Sequence, residues 1–281
     1  MRIDFIEKCL CSRDYMSKIK IAFICPTYFL HFEFAKSLLL SFKQKGFEEQ
    51  SHLWFVFGNA AEADSFGDYE YKLILPENYQ TVNFDGIINI KKIWAIKSLE
   101  PLYDYIMTLD SESLFIRNVD LLQLCSNFFE SKILLGNKIL PEGKLLTDKI
   151  KDECKVFFSS GMQQKLQSEL YLWFNQPCIY KTSNLNKFFE ITKLHNNLNL
   201  INWFQFDYYI YMYYLILYEG FLIVDMGVES SYGVCEATDA LTNMNSAKYD
   251  KFNIMLCTRT NFKLFDNPSL FLLIQLDRRK S

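Results

Sequence analysis

Four short apolar runs constrain this chain more than any other feature of its sequence. They are "IKIAFICPTY" (19–28), "HLWFVFGN" (52–59), "YKLILPEN" (71–78) and "YDYIMTLD" (103–110). None alternates apolar with polar, as a strand with one wet face would, so both faces of each need cover. That is the condition of strands in a mainly parallel sheet flanked by helices. Helical patterns lie between them. "EFAKSLLLSFKQKG" (33–46) puts Phe34, Leu38 and Phe42 on one face and stops at Gly46. "DGIINIKKIWAIKSLEP" (85–101) runs from an Asp85 cap to a Pro101 stop. The order β-α-β-β-α-β predicts an α/β domain with a central, mainly parallel mixed sheet. Ligands of such sheets collect at the carboxyl ends of the strands, so the "CPTY" loop and the "DSE" stretch are expected to face one crevice.

The later chain is less regular. Residues 136–161 are polar, charged and weakly periodic and predict a loop-rich insertion that covers a site. Residues 171–194 read as a strand, a turn and an amphipathic helix, and 202–227 as a helix followed by a strand. The apolar stretch 208–224 is bounded by Asp207 and broken at Glu219-Gly220, well short of the ~20 residues that span a bilayer. The final fifty residues are rich in Asn and Ser with short apolar runs. No repeat and no Gly/Pro/Ser linker interrupts the chain, so one domain over 1–281 is expected.

Half of the residues are hydrophobic and 22% are charged, which places the chain among folded globular proteins. A net charge of −3 argues against duplex nucleic acid as a partner. The tail "LDRRKS" is cationic and reads as a surface terminus or, more sharply, as a peripheral contact with anionic lipid. Eight scattered cysteines without a CxxC, and histidines only at 31, 52 and 195, exclude zinc spacing and fit reduced core thiols. The N-terminal "MRIDFIEKCLCSRDYMSK" is too charged for a signal peptide, so a cytoplasmic setting, extending to the inner face of the membrane, is expected. No GxGxxG, GxxxxGK or GxSxG occurs, against dinucleotide dehydrogenases, P-loop NTPases and α/β-hydrolases.

The stretch "YIMTLDSESLFI" (105–116) places Asp110 and Glu112 at the end of a buried strand. Ionised carboxylates are costly to bury, so the pair needs a solvated turn, a structural salt bridge or a bound cation. Continued strand alternation would turn positions 110 and 112 to one side and Ser111 to the other. Two carboxylates on one side repel unless a proton or cation lies between them. A hard divalent ion takes oxygen ligands and often shares them with phosphates, so the spacing suits a cation that bridges a diphosphate. Thr27 and Tyr28 follow Pro26 at the end of the first strand, where a tyrosine ring can stack on a nucleobase. His31 and His52 flank apolar runs and read as structural.

These stretches resemble the GT-A glycosyltransferases, which move a sugar from a nucleotide-diphosphate donor. "YDYIMTLDSESLFIRN" resembles their Asp-x-Asp region, with Asp110, Ser111 and Glu112 in place and Glu for the second Asp. "IAFICPTY" resembles the family's first strand and loop, which lie against base and ribose, and so implicates Pro26, Thr27 and Tyr28. "KKIWAIKSLEPLYDYIMTLD" is similar to the family's Lys-x-x-Ala-Leu helix and puts Lys92 near the donor phosphates. The resemblance covers residues 19–120 well and 171–227 loosely.

It implies a single GT-A-like (Rossmann-like) domain, with a nucleotide-sugar half over about 19–120 and an acceptor half over about 121–281. It implies Mn²⁺ or Mg²⁺ on Asp110 and Glu112, a UDP- or GDP-linked sugar donor, and a hydroxyl of a glycan or lipid-linked acceptor in surface polysaccharide or glycoconjugate synthesis. Asp207, opening "DYYIYMYY", and Glu229, in "GVESSYG", are the candidate bases of an inverting enzyme. The plainer reading of Asp207 is a first-turn acid favoured by the helix dipole. The family's third metal ligand is commonly a His near the C-terminus. No His follows His195, leaving a water, a carboxylate such as Asp239, or nothing for that place. Two rivals keep the sheet: a sugar nucleotidyltransferase, whose Gly-rich basic loop "CPTYFLHFEF" lacks, and a non-catalytic nucleotide-sugar-binding protein.

Overall fold

The computed structural model describes residues 19–80, 84–115, 118–172, 176, 178–230, 254–258 and 270–276. Its central sheet has the strand order β3-β2-β1-β4-β7, built from β1 (Ile21–Pro26), β2 (Ser51–Phe57), β3 (Lys72–Ile74), β4 (Tyr105–Thr108) and β7 (Cys178–Lys181). The first four are mutually parallel, and β7 runs antiparallel to β4. Every residue of β1 and β2 is buried, as their mostly apolar sequences require, and the polar Ser51 and His52 are hydrogen-bonded inside. The fold is α/β, with a mostly parallel mixed sheet flanked by helices, in agreement with the order of elements in the sequence.

Helix α1 (Phe32–Gln44) buries Ala35, Leu38 and Phe42 and ends before Gly46, whose φ of +71° is the left-handed turn that glycine takes without strain. Phe23 of β1, Phe42 of α1, Phe47 and Phe115 then pack with ring centroids 4.8 to 6.5 Å apart. Each such pair adds about 0.5–1.5 kcal/mol to the area it buries. A short helix α2 (Ala60–Ser65) follows β2, capped by the Asn59 side chain.

Helix α3 (Ile87–Leu99) leads into β4. Asp85 is not its cap: a 3-10 turn, Phe84–Gly86, precedes it and Gly86 takes the cap position. The reason is contact. A Cβ on Gly86 would lie 2.0 Å from the Ile201 carbonyl oxygen, so only glycine lets the segment around Ile201 close over the start of α3. Asn89 ties that segment down by donating to the carbonyls of Asn202 and Trp203 at 3.2 and 3.4 Å.

The expected loop-rich insertion is instead regular. After β5 (Ser113–Phe115) and α4 (Leu121–Ser131) come β6 (Ile133–Ile139) and a fifteen-residue helix, α5 (Pro141–Lys155). Pro141 stands where the helix needs no N–H, and Ile150 and Cys154 give α5 a buried stripe beneath its charged face. Helix α6 (Thr182–Thr192) follows β7. Helix α7 (Asp207–Tyr214) is buried along all eight residues, five of them tyrosine, and passes through a π turn, Leu215–Glu219, to Gly220. Strand β8 (Leu222–Ser230) pairs parallel with β6. The late apolar runs form β9 (Ile254–Thr258) and β10 (Leu270–Leu276), and β10 pairs antiparallel with β5.

Among the described residues, no helix is long and apolar enough to cross a membrane. Cys25, Cys125, Cys154 and Cys178 are buried free thiols. The N-terminal stretch with Cys9 and Cys11, Cys235, Asp239 and the tail 277–281 lie outside the described residues.

Candidate functional site

Strand β1 is the point where the sheet's connections diverge. It pairs with β2 on one side and β4 on the other, with Ile24 opposite both Trp54 and Thr108. A crevice at the carboxyl ends of two such strands is where ligands of open parallel sheets bind. Into it run Pro26, Thr27, Tyr28 and the 3-10 turn Phe29–His31 from β1, and Asp110, Ser111 and Glu112 from β4. Helix α3 adds Lys91 and Lys92.

Strand β4 ends at Thr108, so strand alternation does not reach the acids. Residues 111–112 form a turn, closed by the Ser113 N–H donating to the Asp110 carbonyl at 3.0 Å. The two carboxylates accordingly take different partners. Asp110 Oδ1 accepts from Lys92 Nζ at 2.8 Å. Glu112 Oε2 accepts from the Ser111 hydroxyl at 2.9 Å and lies 3.5 Å from His31 Nδ1. His31 Nδ1 is 2.7 Å from Ser111 Oγ. Because the Ser111 proton points to Glu112, this bond assigns a proton to Nδ1. The Tyr28 ring packs over His31 with centroids 4.3 Å apart.

Consecutive helix positions point about 100° apart, so the two lysines serve different strand ends. Lys91 Nζ donates to the Thr27 carbonyl at 2.8 Å and lies 3.8 Å from Glu62, which itself accepts from the Gly58 N–H at 2.8 Å. Burial pulls the Lys91 ammonium below its usual pKa, and Glu62 partly offsets that. For Lys92, burial pulls the same way, but the carboxylates of Asp110 and Asp207 outweigh it and hold the ammonium above its usual value.

Asp207 opens α7 and is only 2% exposed. Its Oδ2 accepts from the Tyr180 hydroxyl of β7 at 2.5 Å. Burial raises its pKa, opposed by Lys92 and by the Tyr180 hydrogen bond. Tyr180 is thus hydrogen-bonded to Asp207 and Lys92 to Asp110, and the Asp207 carboxylate acts on Lys92 through its charge. Glu229 places its backbone opposite Lys138 in the β6–β8 pair, and its side chain lies outside the described residues.

The expected Mn²⁺ or Mg²⁺ would take its oxygen ligands from this acidic turn. No three His, Cys, Asp or Glu side chains among the described residues converge on a point that would hold a metal ion. A dication on the Asp110 carboxylate would stand about 4 Å from the Lys92 ammonium, a repulsion of about 8 kcal/mol at an effective dielectric constant near 20. In this geometry the Asp110 carboxylate already faces an ammonium at 2.8 Å.

Sequence reasoning read His31 as structural and passed over Lys91 and Tyr180. The adjacent Lys91 and Lys92 within an otherwise apolar helix were a usable signal, because such a helix buries them only beside acceptors. His31 and Tyr180 carried none. His52 is structural, as read: Nδ1 is 2.7 Å from the Tyr103 hydroxyl, and the ring stacks on Tyr71 at 4.4 Å. A separate open depression of about 640 Å³ lies at the opposite, amino-terminal edge of the sheet, beside Lys20, Gln50 and Asn118, away from all these groups.

No protein-family model matches the chain. No curated protein matches it. Among solved structures it is similar to the crystal structure of S. aureus TarS 1–349, at 16% identity and a TM-score of 0.28, over 44% of this chain and 37% of that one.

Proposed function

We propose that this chain is a glycosyltransferase that draws its sugar from a UDP- or GDP-linked donor and passes it to a hydroxyl of a glycan or lipid-linked acceptor. One observation carries the reading: parallel pairing of β1 with β4 gathers Thr27, Tyr28, Lys92, Asp110, Ser111 and Glu112 around one crevice. In this reading the Tyr28 ring faces the base, Pro26 and Thr27 line the ribose, and Lys92 gives the donor diphosphate its positive neighbour. The acceptor oxygen attacks the anomeric carbon, the bond from that carbon to the diphosphate breaks, and the nucleoside diphosphate leaves with the bonding electrons. The acceptor proton goes to a carboxylate, with Asp207 and Glu229 the candidates. The raised pKa of Asp207 suits a proton acceptor, whereas its burial against Tyr180 suits a fixed anion whose charge acts on Lys92.

A second reading, a nucleotide-sugar-binding protein without turnover, is favoured by a different observation: Asp110, Glu62, Glu112 and Asp207 each already have a partner from the chain itself. Incubation with a panel of nucleotide sugars, following released nucleotide and bound ligand together, separates the two. Release from one donor, lost in Asp110→Ala, supports transfer. Binding without release supports the second reading, and pyrophosphate-dependent turnover would move the protein to the sugar nucleotidyltransferases.

A further inference from the structure

The geometry points to Lys92 as the built-in cation of the acidic turn, so that the crevice takes a nucleoside diphosphate without a divalent metal. The ammonium touches Asp110 at 2.8 Å, and the charge of the buried Asp207 acts on it as well. A surface lysine could swing away to admit a metal, but this one cannot. Lys92 is 8% exposed, its stem lies inside α3's buried face, and Asp207 is itself fixed by Tyr180 at 2.5 Å. The other members of the acidic pair and its surroundings are engaged as well, Glu112 by Ser111 and Glu62 by the Gly58 N–H. A carboxylate bonded to an ammonium, with the charge of a second carboxylate acting on it, thus describes the site, and the cation belongs to the chain. The diphosphate part of this inference rests on the glycosyltransferase reading; the metal part does not.

The test uses the full chain and two probes. Manganese alone, followed by electron paramagnetic resonance and by thermal unfolding, is expected to remain free and to leave the melting temperature of the wild-type protein unchanged. Lys92→Met keeps the stem and removes the charge, leaving Asp110 without its ammonium, so Mn²⁺ is expected to bind and stabilise this variant. One Mn²⁺ held by the wild-type protein and released in Asp110→Asn would overturn the inference, and that comparison stands even if Lys92→Met does not fold. UDP and GDP are the second probe. Their affinity is expected to change by less than about twofold, below 0.5 kcal/mol, between chelator and Mn²⁺. Affinity that appears only with Mn²⁺ overturns the inference. No nucleotide binding in either condition rejects the glycosyltransferase reading and leaves the manganese measurement to decide the metal question.

Discussion

His31 Nδ1 reaches Ser111 Oγ at 2.7 Å, a bond that spans 80 positions of sequence and ties the loop after β1 to the turn after β4. The two strand ends that form the crevice are therefore not independent. His31→Ala and Ser111→Ala are each expected to cost about 1 kcal/mol, with a coupling of similar size in the double variant. Urea denaturation of the four proteins measures it, and additive single effects would remove the coupling.

Tyr180 and Asp207 form a buried hydrogen-bonded pair. Tyr180→Phe leaves a buried carboxylate short of its donor and is expected to lower stability by about 1–3 kcal/mol. Asp207→Asn keeps an acceptor oxygen for Tyr180 and is expected to cost less than Asp207→Ala. A Tyr180→Phe variant as stable as the parent would mean that solvent reaches Asp207.

His52 sets an acid limit. Trp54 Nε1 donates to the Tyr103 oxygen at 2.9 Å, which directs the Tyr103 proton to His52 Nδ1 and suits a neutral ring. Burial lowers its pKa from 6.5 to about 4. Between those values the unfolded chain binds the proton and the folded one does not, so stability falls as pH drops from 6.5 toward 4. The expected loss is of the order of 2 kcal/mol after solvent screening. His52→Gln should flatten this limb of the stability–pH curve, and an unchanged slope would assign it to other groups.

Gly86 has φ −95°, ordinary for any residue, so Gly86→Ala tests contact alone. With a Cβ 2.0 Å from the Ile201 carbonyl oxygen, the variant is expected to lose about 1–3 kcal/mol and to loosen the segment bound by Asn89. Thermal unfolding and hydrogen exchange at Asn202 and Trp203 measure the two effects. Gly161, where a Cβ meets nothing within 4 Å, is the control.

The sheet was legible because burial on both faces leaves a direct mark: β1, β2 and β4 are mostly apolar and show no alternation with polar residues. Gly46 marked the end of α1 for an equally local reason. The helix in α5 was hidden by its many charges, although Pro141 and the spacing of Ile150 and Cys154 carried its signature. Gly136 lies within β6, where Leu170 and Ile223 crowd the place a side chain would take. The site was legible as a location, not as a set of contacts. Nothing local to Asp110 says that its partner is a lysine one helix earlier, or that Asp207, far along the chain, stands behind that lysine. Pairings between elements follow from topology, and a residue's neighbours in sequence do not encode them.

The tyrosines of α7 set how the protein meets base. Burial raises the pKa of Tyr208, Tyr209, Tyr211, Tyr213 and Tyr214, so these phenols keep their protons in the folded chain well past pH 10, where an unfolded chain would shed them. Alkali therefore draws the equilibrium toward the unfolded form, and phenolate absorbance from this helix should emerge in one cooperative step with the loss of the core.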